Sequence, residues 1–291
     1  MELPPKPAEY VNNLEFMRNL TPYVFSASLI PKGNLLDVGC GVGYGTWLLA
    51  TTGAVQIIAS DLNERNVWQV SRLCREFKNV NNLVMDAQRL GFKNRSYDLV
   101  TCFEVIEHVP NPDMLLFELR RVLKNTGLLL ITSPNRTVRL GPLQRPWNPE
   151  HLREYTVRAL QRKLEKWFPI YKLLGIYGVP GPHEFYRRLW QPSFFNAYLS
   201  WTIPLLRVMI PTPIRRWIRT HLDHNNSGRS LIPDTDLSNM AIPSPDPKSW
   251  PFYVSDVNKD CLNLLAICGF DNQIVQKTAS EIKLSAYRFS H

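Results

Sequence analysis

Between residues 33 and 135, short unbroken apolar runs alternate with amphipathic segments, and this alternation restricts the chain to very few folds. Asn34–Val38 (NLLDV), Gln56–Ser60 (QIIAS), Leu83–Met85, Tyr97–Phe103 (YDLVTCF) and Gly127–Thr132 (GLLLIT) read as strands. Helical patterns begin near Tyr44, over Asn63–Phe77 with Asn63 as N-cap, and over Pro112–Leu123. A strand without polar alternation must be covered on both faces, which calls for a parallel sheet between two helical layers. Right-handed crossovers then leave a doubly wound, Rossmann-like α/β fold. Two further strand candidates, Lys172–Val179 and Cys261–Cys268, complete a mostly parallel sheet of seven, with Glu281–Tyr287 competing for the last place.

The flanks read differently. Residues 1–32 form a helical lead-in, with Tyr10, Val11, Leu14, Phe16, Met17 and Leu20 near helical spacing. The core runs over 33–180, with a helical candidate at Thr156–Trp167, and 256–291 holds the final strand and the C-terminal tail. Residues 180–250 carry ten of the 23 prolines, so 181–255 reads as an irregular, basic insertion that covers the substrate. Within it Phe194–Ile218 mixes aromatics, aliphatics and arginines. Its prolines and charges exclude a bilayer span, but it suits a membrane interface, a pocket cap or buried core.

Charge is uneven. Residues 1–150 have 16 basic and 14 acidic side chains; residues 151–291 have 18 and 11. A basic half can meet phosphate, anionic lipid or an acidic substrate, or merely keep the protein soluble. The five cysteines (Cys40, Cys74, Cys102, Cys261, Cys268) form no CxxC pair, which argues against a zinc ribbon or a thioredoxin-type site. Their odd number and wide scatter point to a reducing, cytoplasmic setting, and MELPPKPAEY lacks the apolar stretch of a secretory signal.

The segment Leu36-Asp37-Val38-Gly39-Cys40-Gly41-Val42-Gly43-Tyr44-Gly45 lies where the first strand meets the first core helix. A dinucleotide fingerprint needs G-x-G-x-x-G; counted from Gly39 or from Gly41, the third place falls on Tyr44 or Thr46. Neither frame fits, and no Lys-Ser/Thr follows to make a phosphate loop. What remains is Asp-x-Gly-x-Gly-x-Gly, whose acid repels a pyrophosphate and suits a ligand ammonium. Asp61 follows at the end of the second strand, where it can accept from a ribose diol, and Asp86 at the end of the third. Strand ends of such a sheet share one crevice, so the three acids converge.

In these motifs the chain resembles the class I S-adenosylmethionine-dependent methyltransferases. The resemblance covers about Leu35–Asn135, through LLDVGCGVGYG, ASDLN, MDAQRL, YDLVTCFEVIEHV and LLLITSPN in the family's order. It implies that Asp37, Gly39, Gly41 and Gly43 line the methionine moiety of S-adenosylmethionine. Asp61 would hold the ribose hydroxyls, Leu62 would pack on adenine, and Asp86 with Ala87 would meet the adenine edge. Glu104 would also face the cofactor.

After the fourth strand comes Phe103-Glu104-Val105-Ile106-Glu107-His108-Val109-Pro110. On a helical turn Glu104, Glu107 and His108 would crowd one side. Two carboxylates and an imidazole suit Mg²⁺ or Mn²⁺, which can acidify a hydroxyl. His151, in Asn148-Pro149-Glu150-His151, follows the fifth strand where it can close the same crevice. The set resembles the Glu-x-x-Glu-His metal motif of ubiquinone-pathway O-methyltransferases, and the small-RNA 2′-O-methyltransferases that add a later histidine. EVIEHV also resembles methyltransferases that use no metal, in which such residues line the pocket or act as base. Metal site (Glu104, Glu107, His108, His151), general base (His108 first, then His151, with Glu107) and structural role therefore all stand. The expected function is methyl transfer, with an oxygen acceptor favoured: a hydroxyl on a small molecule, sugar or other glycan, or lipid-linked compound. Rival readings are a small-RNA 2′-O-methyltransferase, a non-catalytic cofactor-binding module and, weakest, an NAD-dependent oxidoreductase.

Overall fold

A computed structural model describes residues 7–27, 29, 33–141, 144–146, 148–190 and 250–287. In chain order the elements are α1 (Pro7–Ala27), β1 (Asn34–Val38), α2 (Tyr44–Ala50), β2 (Gln56–Asp61), α3 (Glu64–Leu73), β3 (Val80–Val84) and β4 (Tyr97–Cys102). They continue with α4 (Pro112–Val122), β5 (Leu123–Pro134), the single turn α5 (Arg136–Arg139), α6 (Val157–Trp167), β6 (Ile170–Gly178) and α7 (Pro182–Trp190). Last come β7 (Phe252–Asp256), β8 (Asn263–Gly269) and α8 (Asn272–Tyr287).

The strands make one sheet in the order β3-β2-β1-β4-β5-β8-β6-β7. β3, β2, β1, β4 and β5 pair in parallel, whereas β8 is antiparallel to both β5 and β6. The order reverses between β1 and β4, so a crevice opens at the carboxyl ends of these two strands. Alternate residues feed two apolar layers. Leu35, Leu99, Leu130 and Leu265 face a cluster that includes Leu14, Leu20 and Phe25 of α1 and Leu48 of α2. Leu36, Val100, Leu129 and Leu264 face the other cluster, with Leu115, Leu119 and Leu164 of α4 and α6. Both faces are covered, as the unbroken apolar runs require.

The sheet has eight strands rather than seven. The extra one is β7, at the end of the proline-rich stretch, which pairs antiparallel with β6 from Phe252↔Gly178 to Asp256↔Leu174. β5 starts at Leu123 rather than Gly127, because a register shift between Tyr97 and Leu99 takes up the polar Lys124–Gly127. β3 runs Val80–Val84 instead of Leu83–Met85: an edge strand half open to solvent tolerates the two asparagines that hid it. Glu281–Tyr287 belongs to α8, which buries Ile282. Asn63 caps α3 as expected, accepting from the Arg65 N–H. The Phe194–Ile218 stretch and most of the expected insertion lie outside the described residues. Among the described residues no helix is long and apolar enough to cross a membrane.

Candidate functional site

The loop from β1 to α2 builds one wall of the crevice. Gly39, Gly41 and Gly43 all take left-handed φ angles of 71°, 53° and 94°, which glycine alone adopts without strain. At Gly41 a Cβ would meet nothing within 4 Å, so this backbone borders open space that a ligand can enter. The Asp61 carboxylate stands at its edge. Its Oδ2 accepts from the Gly41 N–H (2.9 Å), and Oδ1 accepts from the Asn63 N–H (2.8 Å) and Asn66 Nδ2 (3.1 Å). Leu62 beside it is 72% exposed, a cost that stacking on a flat ring would remove. Asp86 Oδ1 accepts from the Gln88 N–H and Nε2, and Ala87 packs half-buried on the second core cluster. Asp61, Leu62, Asp86 and Ala87 thus follow one another along the ends of β2 and β3.

Asp37 does not join them. Its side chain lies on the same face of β1 as Leu35 and is fully buried. Oδ1 accepts from the Tyr23 hydroxyl (3.1 Å) and the Thr101 hydroxyl (2.8 Å), and Oδ2 from the Thr46 hydroxyl (2.7 Å). The carboxylate is closed off from the crevice and cannot meet a ligand ammonium directly. It ties α1, α2 and β4 behind the glycine loop instead. Burial pushes its pKa up to about 6, against the pull of the three hydroxyl donors.

The facing wall follows β4. Glu104 sits at a left-handed φ of 54°, uncommon for a residue with a Cβ. Thr132 of β5 holds it there: the Thr132 hydroxyl accepts from the Glu104 N–H (3.1 Å) and donates to Oε1 (2.8 Å). Asn263 Nδ2 of β8 donates to Oε2 (2.9 Å), and Asn263 Oδ1 accepts from Arg18 of α1 (3.2 Å). With both oxygens engaged there, Glu104 stands apart from the expected metal set. The left-handed turn replaces the helical turn that would have stacked it over Glu107 and His108.

Glu107, His108 and His151 do come together: one ligand atom from each lies within 4.8 Å of the others. Backbone contacts bring segments more than forty residues apart into register. The Leu152 N–H donates to the Glu107 carbonyl (2.9 Å), and the Arg153 guanidinium donates to the Val109 and Pro110 carbonyls. The two imidazoles meet edge to face at 4.7 Å. His108 Nδ1 reaches the Glu150 carbonyl (3.1 Å) and His151 Nδ1 the Glu154 carboxylate (3.0 Å). A main-chain carbonyl only accepts, so the contact with Glu150 places the His108 proton on Nδ1 and leaves its Nε2 lone pair for a ligand.

The Glu107 carboxyl is fully buried, and neither oxygen has a hydrogen-bond partner. Burial first, then the negative charge of Glu104, raises its pKa well above the carboxylate range. Burial, then His151, lowers the pKa of His108. A buried carboxyl without hydrogen-bond partners beside two imidazoles is a group that could take a divalent ion. One carboxylate and two imidazole nitrogens suit a borderline ion such as Mn²⁺ rather than the all-oxygen ligands that Mg²⁺ takes, and Glu104 is not in the group.

Several contributors carry no motif signal. Tyr23, Thr46, Thr101, Thr132 and Asn263 act across the sheet and are invisible in local sequence. Glu154 is different: it lies three residues after His151, a spacing that places two side chains on one side of a turn.

The geometry agrees with what the chain is similar to. A methyltransferase-domain family model matches residues 36–131. A protein of Mycobacterium tuberculosis H37Rv, named a probable S-adenosylmethionine-dependent methyltransferase, is 33% identical over 150 residues, 52% of this chain and 53% of that protein. The ubiquinone biosynthesis O-methyltransferase of Xanthomonas campestris pv. campestris (strain B100) is 34% identical over 137 residues, 46% of this chain and 54% of that protein. The chain thus spans about half the length of these curated relatives. The YcgJ protein of Bacillus subtilis superposes with a TM-score of 0.53 at 19% identity, over 87% of this chain and 99% of that one, a likeness of fold alone. Residues 36–131 thus match a methyltransferase domain, and the mycobacterial relative is named for S-adenosylmethionine.

Proposed function

We propose that the protein transfers the sulfonium methyl group of S-adenosylmethionine to a hydroxyl oxygen, with Glu107, His108 and His151 as the acceptor-side group. The observation that carries this reading is the partnerless, buried Glu107 carboxyl beside the two imidazoles of His108 and His151. The open backbone at Gly41, the Asp61 carboxylate and the exposed Leu62 supply the cofactor wall. The ubiquinone biosynthesis O-methyltransferases among the relatives accord with an oxygen acceptor. The acceptor class is a small molecule, a sugar or a lipid-linked glycan, with residues 194–218 as a peripheral membrane contact if the acceptor is lipid-linked.

The sulfonium already carries a good leaving group, so the protein mainly aligns methyl and oxygen, which can supply about 7–11 kcal/mol. His108 and His151 can orient the hydroxyl and take its proton, worth ~10²–10⁴-fold. A divalent ion held by Glu107, His108 and His151 would in addition lower the pKa of that hydroxyl. Calorimetric titration with S-adenosylmethionine, S-adenosylhomocysteine and NADH tests the cofactor. Both adenosyl compounds should bind, less tightly in Asp61→Ala, and NADH should not. A labelled-methyl assay over phenols, sugars, lipid-linked glycans and RNA, with and without chelator, tests the acceptor and the ion. Failure of the adenosyl compounds to bind, or transfer only to nitrogen or carbon, would overturn the reading.

A further inference from the structure

We propose that Glu154, held by Arg139, is the positioning residue that sets the tautomer and ring orientation of His151; this rests on His151 belonging to the acceptor-side group. The Glu154 side chain is completely buried. Its Oε1 lies 3.0 Å from His151 Nδ1 and 3.3 Å from Arg139 Nε. Oε2 is buried with no hydrogen-bond partner. Arg139 comes from α5, directly after β5, and its side chain is 12% exposed, so the row Arg139–Glu154–His151 runs from the end of β5 to the crevice.

A carboxylate taken wholly out of water without a counter-charge is strongly disfavoured. Arg139 supplies the charge, and Glu154 spends its hydrogen-bonding capacity on one imidazole. Because an ionised carboxylate only accepts, it would retain the proton on His151 Nδ1 and leave Nε2 as the ring's unprotonated nitrogen. The two histidines differ in this support. His108 leans on the Glu150 main-chain carbonyl, which is neutral and belongs to the loop, whereas His151 is backed by a buried charge. This reverses the order in which the sequence ranks them: His151 is the more firmly placed partner for an acceptor or an ion. Charges facing this row from neighbouring elements are Arg18 and Glu15 of α1 and Glu104 after β4.

Glu154→Gln tests the assignment, since a glutamine amide can either accept from Nδ1–H or donate to a bare Nδ1. Arg139→Gln/Glu154→Gln, which leaves no buried charge alone, guards against misfolding. The readout is the long-range ¹H–¹⁵N correlation of the His151 imidazole, which separates protonated from bare nitrogens without requiring turnover. The wild type should show Nδ1–H alone. Both variants should show mixed tautomers, with Mn²⁺ affinity lowered ~10–100-fold and S-adenosylmethionine affinity unchanged. A wild-type Nε2–H tautomer, or Nδ1–H alone in both variants, would overturn the assignment. Absence of Mn²⁺ binding in the wild type would count against the metal site only, because the tautomer is read independently.

Discussion

Asp37 is a charge placed where the fold disfavours it. Three hydroxyls converge on its carboxylate, yet burial still raises its pKa to about 6. The folded state therefore holds the proton more tightly than the unfolded chain does. The stabilisation is fully present below the unfolded carboxylate pKa, about 4, and is lost as pH rises through about 6. Asp37→Asn keeps an acceptor for Tyr23 and Thr101 and is neutral at every pH. Its urea midpoint should exceed that of the wild type at pH 7.5 by an amount equivalent to at most roughly 3 kcal/mol. The gap should close towards pH 4; a gap independent of pH would refute the account. Asp37 would then serve the cofactor indirectly, by fixing the floor beneath the glycine loop.

At the scale of elements, α1 is part of the site rather than a leader to it. The Tyr23 ring covers Gly45, where a Cβ would run into the ring, and the Tyr23 hydroxyl meets Asp37. Trp250 ahead of β7 donates to the Thr21 hydroxyl (3.0 Å), joining α1 to the last described segment. Gly45→Ala should thus force α1 off the loop, at about 1–3 kcal/mol for overpacking. Gly41→Ala, with open space above it, should cost only about 1 kcal/mol for its left-handed backbone but should block the cofactor. Chemical denaturation and S-adenosylmethionine titration of both variants separate the effects. Equal loss of stability in the two would contradict this division.

For the whole molecule, the two-faced core also decides cysteine chemistry. Cys40, Cys74, Cys102, Cys261 and Cys268 are all free and buried. Burial pushes the thiols up, to about 12 for Cys74 and about 11 for Cys261, and the thiolate is the reactive form. A thiol reagent such as dithionitrobenzoate should therefore label the native protein slowly and all five cysteines in guanidinium chloride. Fast labelling of any of them in the native state would show that the layer above it opens readily.

The sequence by itself determined the doubly wound core, because unbroken apolar strands have no other way to hide both faces. It also placed Gly39, Gly41, Asp61, Leu62 and Asp86 at strand ends, in positions set by chain order. It marked Glu107, His108 and His151 as candidates for one group. Tertiary structure alone decided which residues share the group. Glu104 was diverted by Thr132 and Asn263, partners 28 and 159 residues away. Asp37 was turned inward by the pleat of β1, which places alternate residues on opposite faces. The eighth strand, β7, is short and follows a run of prolines, so only its pairing with β6 made it a strand. Local pattern carries periodicity, and periodicity sets what is buried. Where a charged side chain finds its partner depends on contacts between distant segments, and these exist only once the sheet has formed.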